Sequence, residues 1–544
     1  MIKSMFFNSS DRITAFSRIN ISIARQYWLR WILALALPSL IFISTMEVAP
    51  YLHMDEFIIV DLGRIILNPT TNWSINWLVD KQQPVFLFSY VGTVLHEFAF
   101  DYVGQYGPRI SGLVGALAAA TALVGWLLAR GTSRGASILI GLIFLMDPLF
   151  VQAFTLGRLD GWTIALCLTC CWTLRSTSLP SSTPIYIYVR LLLSGALACL
   201  AFFVWPSAVF LFPLIALELF SLVYNSREHG DNRSHLIRLV ITFLFGAVLF
   251  TLLLLAPIAS QLTIQISNAI ESLKVNTQAG PEWGADVKFA PLRGIITCLK
   301  FTPVLVIMSL VGIIKNKLIG PSLVLITTIL LLISTIVYMH RVLYLLPYLI
   351  VCVSTLFGKE ANKIFPLPVR RGMISALLIW SVGLSLVVRT FMAFDANTGQ
   401  DRDLLNQAAK SLIGSGDHKV LLLHTTELYY SGRSLGWEMY SPYIGIGEPL
   451  NQKTLEKILF QVDYAIIKDP ISKDLEQSLI VGGMYLKNSY AIYDGSAEKF
   501  DGITTNIWRL RYLYSIFEQH YGPYKIFVRK QNNSNGSNSS TVGS

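Results

Sequence analysis

The chain has 544 residues, of which 53% are hydrophobic and 14% charged, where a soluble domain carries about 25% charged residues. With a mean hydropathy of +0.54, this balance excludes a disordered chain and an ordinary soluble enzyme and indicates a polytopic α-helical membrane protein. The chain's net charge is +10, and its basic excess lies in residues 1–391, with 28 Lys and Arg against 17 Asp and Glu, whereas residues 392–544 hold 15 against 16. Basic residues flanking membrane spans on the cytoplasmic side account for that excess, so no nucleic-acid partner is implied.

A basic N-terminal stretch with Lys3, Arg12, Arg18, Arg25 and Arg30 precedes a first apolar run at 29–46. The run is too long for the core of a signal peptide, and Glu47-Val48-Ala49-Pro50 is a poor cleavage site, so it reads as an uncleaved anchor. Further apolar runs fall at 109–129, 135–152, 159–174, 189–204, 207–224, 237–258, 299–314, 320–337, 342–357 and 372–391. The stretch 84–100 is ambiguous. Arg130, Arg134, Arg175, Arg227, Arg233, Arg238, Lys315, Lys317, Lys359, Lys363, Arg370 and Arg371 all face the cytoplasm only if 84–100 does not span. That stretch also carries His96 and Glu97, which are costly in hydrocarbon, so it reads as an interfacial helix. The result is about eleven spans, with the N-terminus inside and the C-terminus outside.

This topology gathers the polar groups at the outer face. Residues 47–108 form the first outer loop, residues 259–298 a long outer loop with the reach of a cover over a site, and residues 392–530 a small extracytoplasmic α/β domain. Helices are expected at 403–412 and 454–461, and strands at 419–424, 464–468, 507–511 and 525–528, giving a partly parallel sheet. Residues 531–544, rich in Asn, Ser and Gly, read as a disordered tail. The six cysteines lie in or beside apolar segments and none lies in the tail domain, so neither disulfides nor a zinc site is indicated.

Four groups stand out at the outer ends of the spans. Asp55-Glu56 follows the first span; two carboxylates there suit a base with a polar anchor, or simply a solvated helix start. Lys81 precedes the interfacial helix and suits a phosphate or a snorkelling role. The turn Gly157-Arg158-Leu159-Asp160 places an Arg outside, against the positive-inside rule, so the pair faces the bundle or forms a local cap. Tyr338-Met339-His340-Arg341 and Tyr344 form a second such exception, with Arg341 suited to a lipid phosphate and the tyrosines to an aromatic belt.

In order and spacing these pieces resemble the GT-C fold of integral membrane glycosyltransferases, especially the protein O-mannosyltransferase and aminoarabinose transferase branch. The matching pieces are Asp55-Glu56 after the first span, Lys81 to Pro84 where the family has Lys-Pro-Pro, Gly107 to Gly112 where it has Arg-Leu-Pro-Ser, Gly157-Arg158-Leu159-Asp160, and Arg341 with Tyr344 and Pro347. The resemblance covers about residues 28–391. Gln82-Gln83 and Ile110-Ser111-Gly112 lack prolines of the family pattern, which leaves the donor sugar open.

The resemblance implies transfer of a sugar from a polyprenyl-phosphate donor to a lipid, glycan or protein acceptor outside the cytoplasmic membrane, by default the bacterial inner membrane, with inversion. It implies Asp55 as general base, Glu56 orienting the base or the acceptor, and Lys81, Arg158 and Arg341 on the donor phosphate. Asp160, His340 and Tyr344 are further site candidates. No cofactor is required, although Asp55, Glu56 and Asp160 would suit Mg or Mn if they converge. The competing readings are a transporter or flippase of a lipid-linked substrate and a non-catalytic membrane scaffold.

Overall fold

The computed structural model describes residues 21–46, 54–75, 87–177, 184–228, 232–263, 266–267, 295–296, 299–334, 339–358, 365–387, 389, 402–441, 452–469, 471–490 and 521–529. The chain divides into a larger unit containing the apolar helices and a smaller one made of Thr70–Gln83, Thr398–Gly502 and Gln519–Ser544.

In the larger unit the described part of each of the eleven apolar runs is largely helical. In chain order the unit holds α1 (Ile21–Ser44), α2 (Met54–Leu67), α3 (Tyr90–Val103), α4 (Gly107–Ala129), α5 (Arg134–Leu145), α6 (Pro148–Thr155), α7 (Asp160–Thr177), α8 (Pro184–Val204), α9 (Phe212–Glu228), α10 (Arg233–Leu255), α11 (Pro303–Asn316), α12 (Ile319–Ile333), α13 (Leu346–Ser354) and α14 (Leu367–Leu378). Among the described residues seven helical stretches are long and apolar enough to cross a membrane, and the α5–α6 pair, bent by 58°, makes up to eight. The remaining runs are shorter or more polar: α11 and α12 have 14 and 15 residues, and α7 carries Asp160 and Arg175.

α2 and α3 are the short helices of the first loop. At 14 residues, α3 is about 21 Å long, too short for a 30 Å hydrocarbon core. The sequence Gly104-Gln105-Tyr106-Gly107 ends it: Gly104 takes φ +74°, and Gly107 lies so close to the Ala99 carbonyl that a Cβ could not fit. The chain therefore folds back into α4, and 90–129 is two helices joined at Gly104–Tyr106 rather than one rod. α3 lies directly on α2, with Gly63 against the Thr93 backbone and buries His96 and Glu97.

Small residues set the central packing. A Cβ on Gly115 would come within 2.7 Å of the Trp162 nitrogen, and one on Gly161 within 2.8 Å of the Ala116 nitrogen. α4 and α7 thus touch backbone to backbone, as small-residue interfaces allow in a membrane bundle. Asp147 caps α6 by accepting from Leu149 N at 3.1 Å and from Thr302 Oγ1 at 2.7 Å, which satisfies the polar groups freed at the break.

The smaller unit is an α/β domain with α15 (Arg402–Leu412), β1 (Lys419–Leu423), α16 (Tyr429–Leu435), β2 (Glu438–Tyr440), α17 (Gln452–Leu459), β3 (Tyr464–Lys468), α18 (Lys473–Val481), β4 (Met484–Tyr490) and β5 (Tyr524–Arg529). The sheet order is β2-β1-β3-β5-β4. β1 is parallel to β2 and β3, while β5 is antiparallel to β3 and β4. The alternating residues Leu421, Leu423, Ala465 and Ile467 pack on Leu455, Ile458 and Leu459 of α17 and Leu475 and Leu479 of α18, with Trp73 of the first loop against the same core. The partly parallel sheet and the helices near 403–412 and 454–461 follow the sequence reading, whereas the strand expected at 507–511, the tail 531–544 and most of the loop 259–298 lie outside the described residues.

Candidate active site

Asp55 and Glu56 occupy the first turn of α2, where the helix dipole favours carboxylates. Glu56 turns into the bundle. Arg109, in the first turn of α4, donates to its Oε2 through Nε at 3.1 Å and through Nη2 at 3.0 Å. The same guanidinium donates through Nη1 to the carbonyl of Met46, two residues beyond α1, at 3.2 Å, and so ties the end of α1 to α2 and α4. This fork is fully inside, with side-chain exposures of 1% for Arg109 and 0% for Glu56.

The turn from α6 to α7 passes beside this pair. Gly157 has φ +62°, and a Cβ there would stand 3.1 Å from the Glu56 Cγ and 3.3 Å from the Pro108 carbonyl carbon. Glycine serves both the left-handed backbone and the close approach. Arg158 then bridges two carboxylates, donating from Nη1 to Asp55 and from Nε to Asp160 at 2.8 Å. Its guanidinium also lies 6.0 Å from the Trp205 ring centroid, within cation–π range.

Asp160 is the first residue of α7, and its other oxygen accepts from Tyr344 Oη at 2.8 Å. The cluster therefore links four distant stretches: α2, the start of α4, the α6–α7 turn, and Tyr344. Exposure separates its members. Asp160 keeps 1% of its side-chain surface, but Asp55 keeps 12% and Arg158 9%. Asp55 and Arg158 are thus the less enclosed members of the cluster, and Asp160, Tyr344, Glu56 and Arg109 surround them.

Of the residues singled out in the sequence, Asp55, Arg158, Asp160 and Tyr344 come together directly, and Glu56 adjoins them. His340 and Arg341 lie half-buried on the helical turn Met339–Val342, which leads into Tyr344 and packs on α6. Lys81 lies outside the described residues. The cation between Asp55 and Asp160 is Arg158, and among the described residues no three His, Cys, Asp or Glu side chains gather as a metal site.

Sequence reasoning included Arg109 in the Gly107–Gly112 piece but gave no role to Arg109, Trp205 or Arg389. Arg109 carried a usable signal, a lone cation opening an otherwise apolar run. Arg389 is 3% exposed, with its guanidinium 4.8 Å from the Phe42 ring centroid. A second buried polar layer lies further along α2 and α3, where Arg64 donates to Asp61 at 2.7 Å and His96 and Glu97 are enclosed.

No family model and no curated protein sequence matches this chain. Among solved structures, ArnT from Cupriavidus metallidurans bound to undecaprenyl phosphate is similar, with a TM-score of 0.57 and 11% identity over 93% of this chain and 98% of ArnT. ArnT in the apo state gives 0.50 and 12% identity over 87% of this chain and 97% of that one. The archaeal oligosaccharyltransferase AglB from Archaeoglobus fulgidus, in complex with an inhibitory peptide and a dolichol-phosphate, gives 0.49 and 11% identity over 93% and 89%. Likeness to ArnT along nearly the whole of both chains, with short helices in the first loop and a small sheet domain at the C-terminal end, shows that this protein has the GT-C membrane fold.

Proposed function

We propose that the chain transfers a sugar from a polyprenyl-phosphate donor to an acceptor on the outer face of the membrane. The observation that carries this reading is Arg158 held between Asp55 and Asp160, with Asp55 and Arg158 the least enclosed members of a buried cluster. The fold shared with ArnT, which was crystallised with undecaprenyl phosphate, supports a lipid-phosphate ligand.

The Asp55 carboxylate takes the proton of the acceptor hydroxyl. The acceptor oxygen attacks the anomeric carbon from the side opposite the phosphate, the bond from that carbon to the phosphate oxygen breaks, and polyprenyl phosphate leaves with the electron pair. Configuration at the anomeric carbon inverts. Arg158 stabilises the charge that grows on the leaving phosphate, a form of catalysis that gains from a guanidinium already oriented before the reaction. Asp160 and Tyr344 supply that orientation. Glu56, fixed by Arg109, holds the turn of α2 that presents Asp55. Arg341 serves as a second cation for the phosphate, with His340 next to it on the same helical turn. This chemistry belongs on the outer side of a bacterial inner membrane, with the N-terminus in the cytoplasm and the small domain outside. The acceptor is a lipid, a glycan or a protein.

A transporter would concentrate its polar groups at broken helices near mid-membrane. Among the described residues the one span broken by a sharp bend, α5–α6, has its polar residue Asp147 engaged in capping α6 and holding Thr302, which supports a structural role for the break.

The test is incubation of the purified protein with polyprenyl-phosphate sugars carrying a radiolabelled sugar, with release of polyprenyl phosphate as the readout. Turnover of one donor supports the proposal. Absence of turnover with every donor, although undecaprenyl phosphate binds and acceptors are supplied, contradicts it.

A further inference from the structure

The end of the helix bundle away from the Asp55 cluster carries charges that the proposed chemistry does not use. The chain passes Trp205, beside Arg158, before α9 begins, and α9 then runs away from the site. α10 brings the chain back. Its Leu254 carbonyl accepts from Tyr90 Oη at 3.0 Å, and Tyr90 opens α3, whose Gly92 lies against the side chain of Leu159 in the Arg158 turn. With 23 residues, α10 is about 35 Å long, enough to cross a hydrocarbon core of about 30 Å. The corner between α9 and α10 therefore lies a membrane's thickness from the site.

Arg227, Arg233 and Arg238 are exposed at this corner, together with Asn232 and Ser234. Among the described residues of the corner, Glu228 is the one acid. Below the arginines the outward face of α10 is apolar: Ile237, Ile241, Leu244, Phe245 and Val248 are 49–58% exposed. Residues three or four apart share a helix face. Arg233 thus stands one turn above Ile237, and Arg238 one turn above Ile241.

This register places surplus positive charge directly over a lipid-facing stripe. A soluble polyanion would meet the arginines but leave the isoleucines in water. A phospholipid answers both, because its acyl chains lie along the stripe while guanidinium groups hold its phosphate through paired hydrogen bonds. The surplus charge favours a headgroup with a net negative charge over a zwitterionic one. We propose that the α9–α10 corner binds an anionic phospholipid, with Arg233 and Arg238 on the phosphate, Arg227 adding positive charge, and Ile237 and Ile241 against the acyl chains. The proposal is independent of the sugar-transfer reading, since it uses none of the residues of the Asp55 cluster.

Full-length protein in a neutral detergent is mixed with equal amounts of phosphatidylglycerol and phosphatidylcholine of the same acyl chains, and bound lipid is counted by native mass spectrometry. Phosphatidylglycerol should be retained at least about tenfold over phosphatidylcholine. Arg233→Gln combined with Arg238→Gln should lower its retention at least about tenfold, because each basic residue at an anionic lipid surface contributes a several-fold factor. Lys315→Gln combined with Lys317→Gln removes the same charge from the end of α11 and should leave most of the retention. All four side chains are exposed, so thermal unfolding in lipid-free detergent should be unchanged and shows that the variants remain folded. Equal retention of the two lipids, unchanged retention in the arginine pair, or an equal loss in the lysine pair would overturn the proposal.

Discussion

Arg158 donates to Asp55 across 103 residues of sequence, while its Nε holds Asp160 at 2.8 Å. The guanidinium is fixed from two sides before any substrate arrives. Tyr344 sets the inner side by donating to Asp160. Tyr344→Phe leaves an enclosed carboxylate oxygen without that donor, at a cost of about 1–3 kcal/mol. Thermal unfolding should show a loss of this size. Turnover should fall about tenfold, the equivalent of 1.4 kcal/mol of misplaced transition-state stabilisation. Unchanged turnover would remove Tyr344 from the positioning set.

The Glu56–Arg109 fork has a different signature. Arg109→Met strands a carboxylate with 0% side-chain exposure, and breaking an enclosed pair from one side costs about 3–5 kcal/mol. Adding Glu56→Gln removes the stranded charge and should restore much of the loss, so the two substitutions should be far from additive. Thermal unfolding of the two single variants and the double variant checks this; additive losses would mean that the pair does not act as a unit.

Backbone contact between α4 and α7 carries the Arg158 turn into place. Gly161→Ala puts a methyl group 2.8 Å from the Ala116 nitrogen and should destabilise by about 1–3 kcal/mol while lowering turnover. Gly135→Ala meets nothing within 4 Å and should leave both unchanged. Circular dichroism melts and donor turnover on the two variants make the comparison; equal behaviour would disconnect helix spacing from the site.

The small domain should show an acid sensitivity traceable to His424. Its folded-state value lies below 6.5, lowered by burial and then by Lys468. As the pH falls through 6.5, the unfolded chain therefore takes up the proton first, and stability is lost on that side. Above 6.5 both states are neutral and the effect vanishes. Unfolding followed between pH 7.5 and 5.5 should fall less steeply in His424→Gln than in the wild type. Identical slopes would contradict the assignment.

The membrane architecture was legible because long apolar runs and flanking Lys and Arg are strong signals. Residues 84–100 show how loop charge settled what hydropathy left open, and the structure gives α3 as a short helix folded back at Gly104–Gly107. The Asp55, Arg158, Asp160 and Tyr344 cluster was legible in part, because charges at span ends that the sequence reading assigns to the outside violate a simple rule. What the sequence did not disclose is pairing. Arg109 with Glu56, and Arg158 between two carboxylates, depend on helix contacts made by Gly115 and Gly161, and on a left-handed Gly157. Trp73 likewise looked like part of a loop, but it packs against the core of the small domain, more than 300 residues away in sequence.

The role of Asp55 is tested most directly by measuring sugar transfer and undecaprenyl-phosphate binding side by side in wild type and Asp55→Asn. If Asp55 is the base, the variant binds the lipid phosphate and keeps its thermal stability but loses transfer by at least about a hundredfold, the lower range for removing a general base. Transfer at the wild-type rate in Asp55→Asn would contradict it.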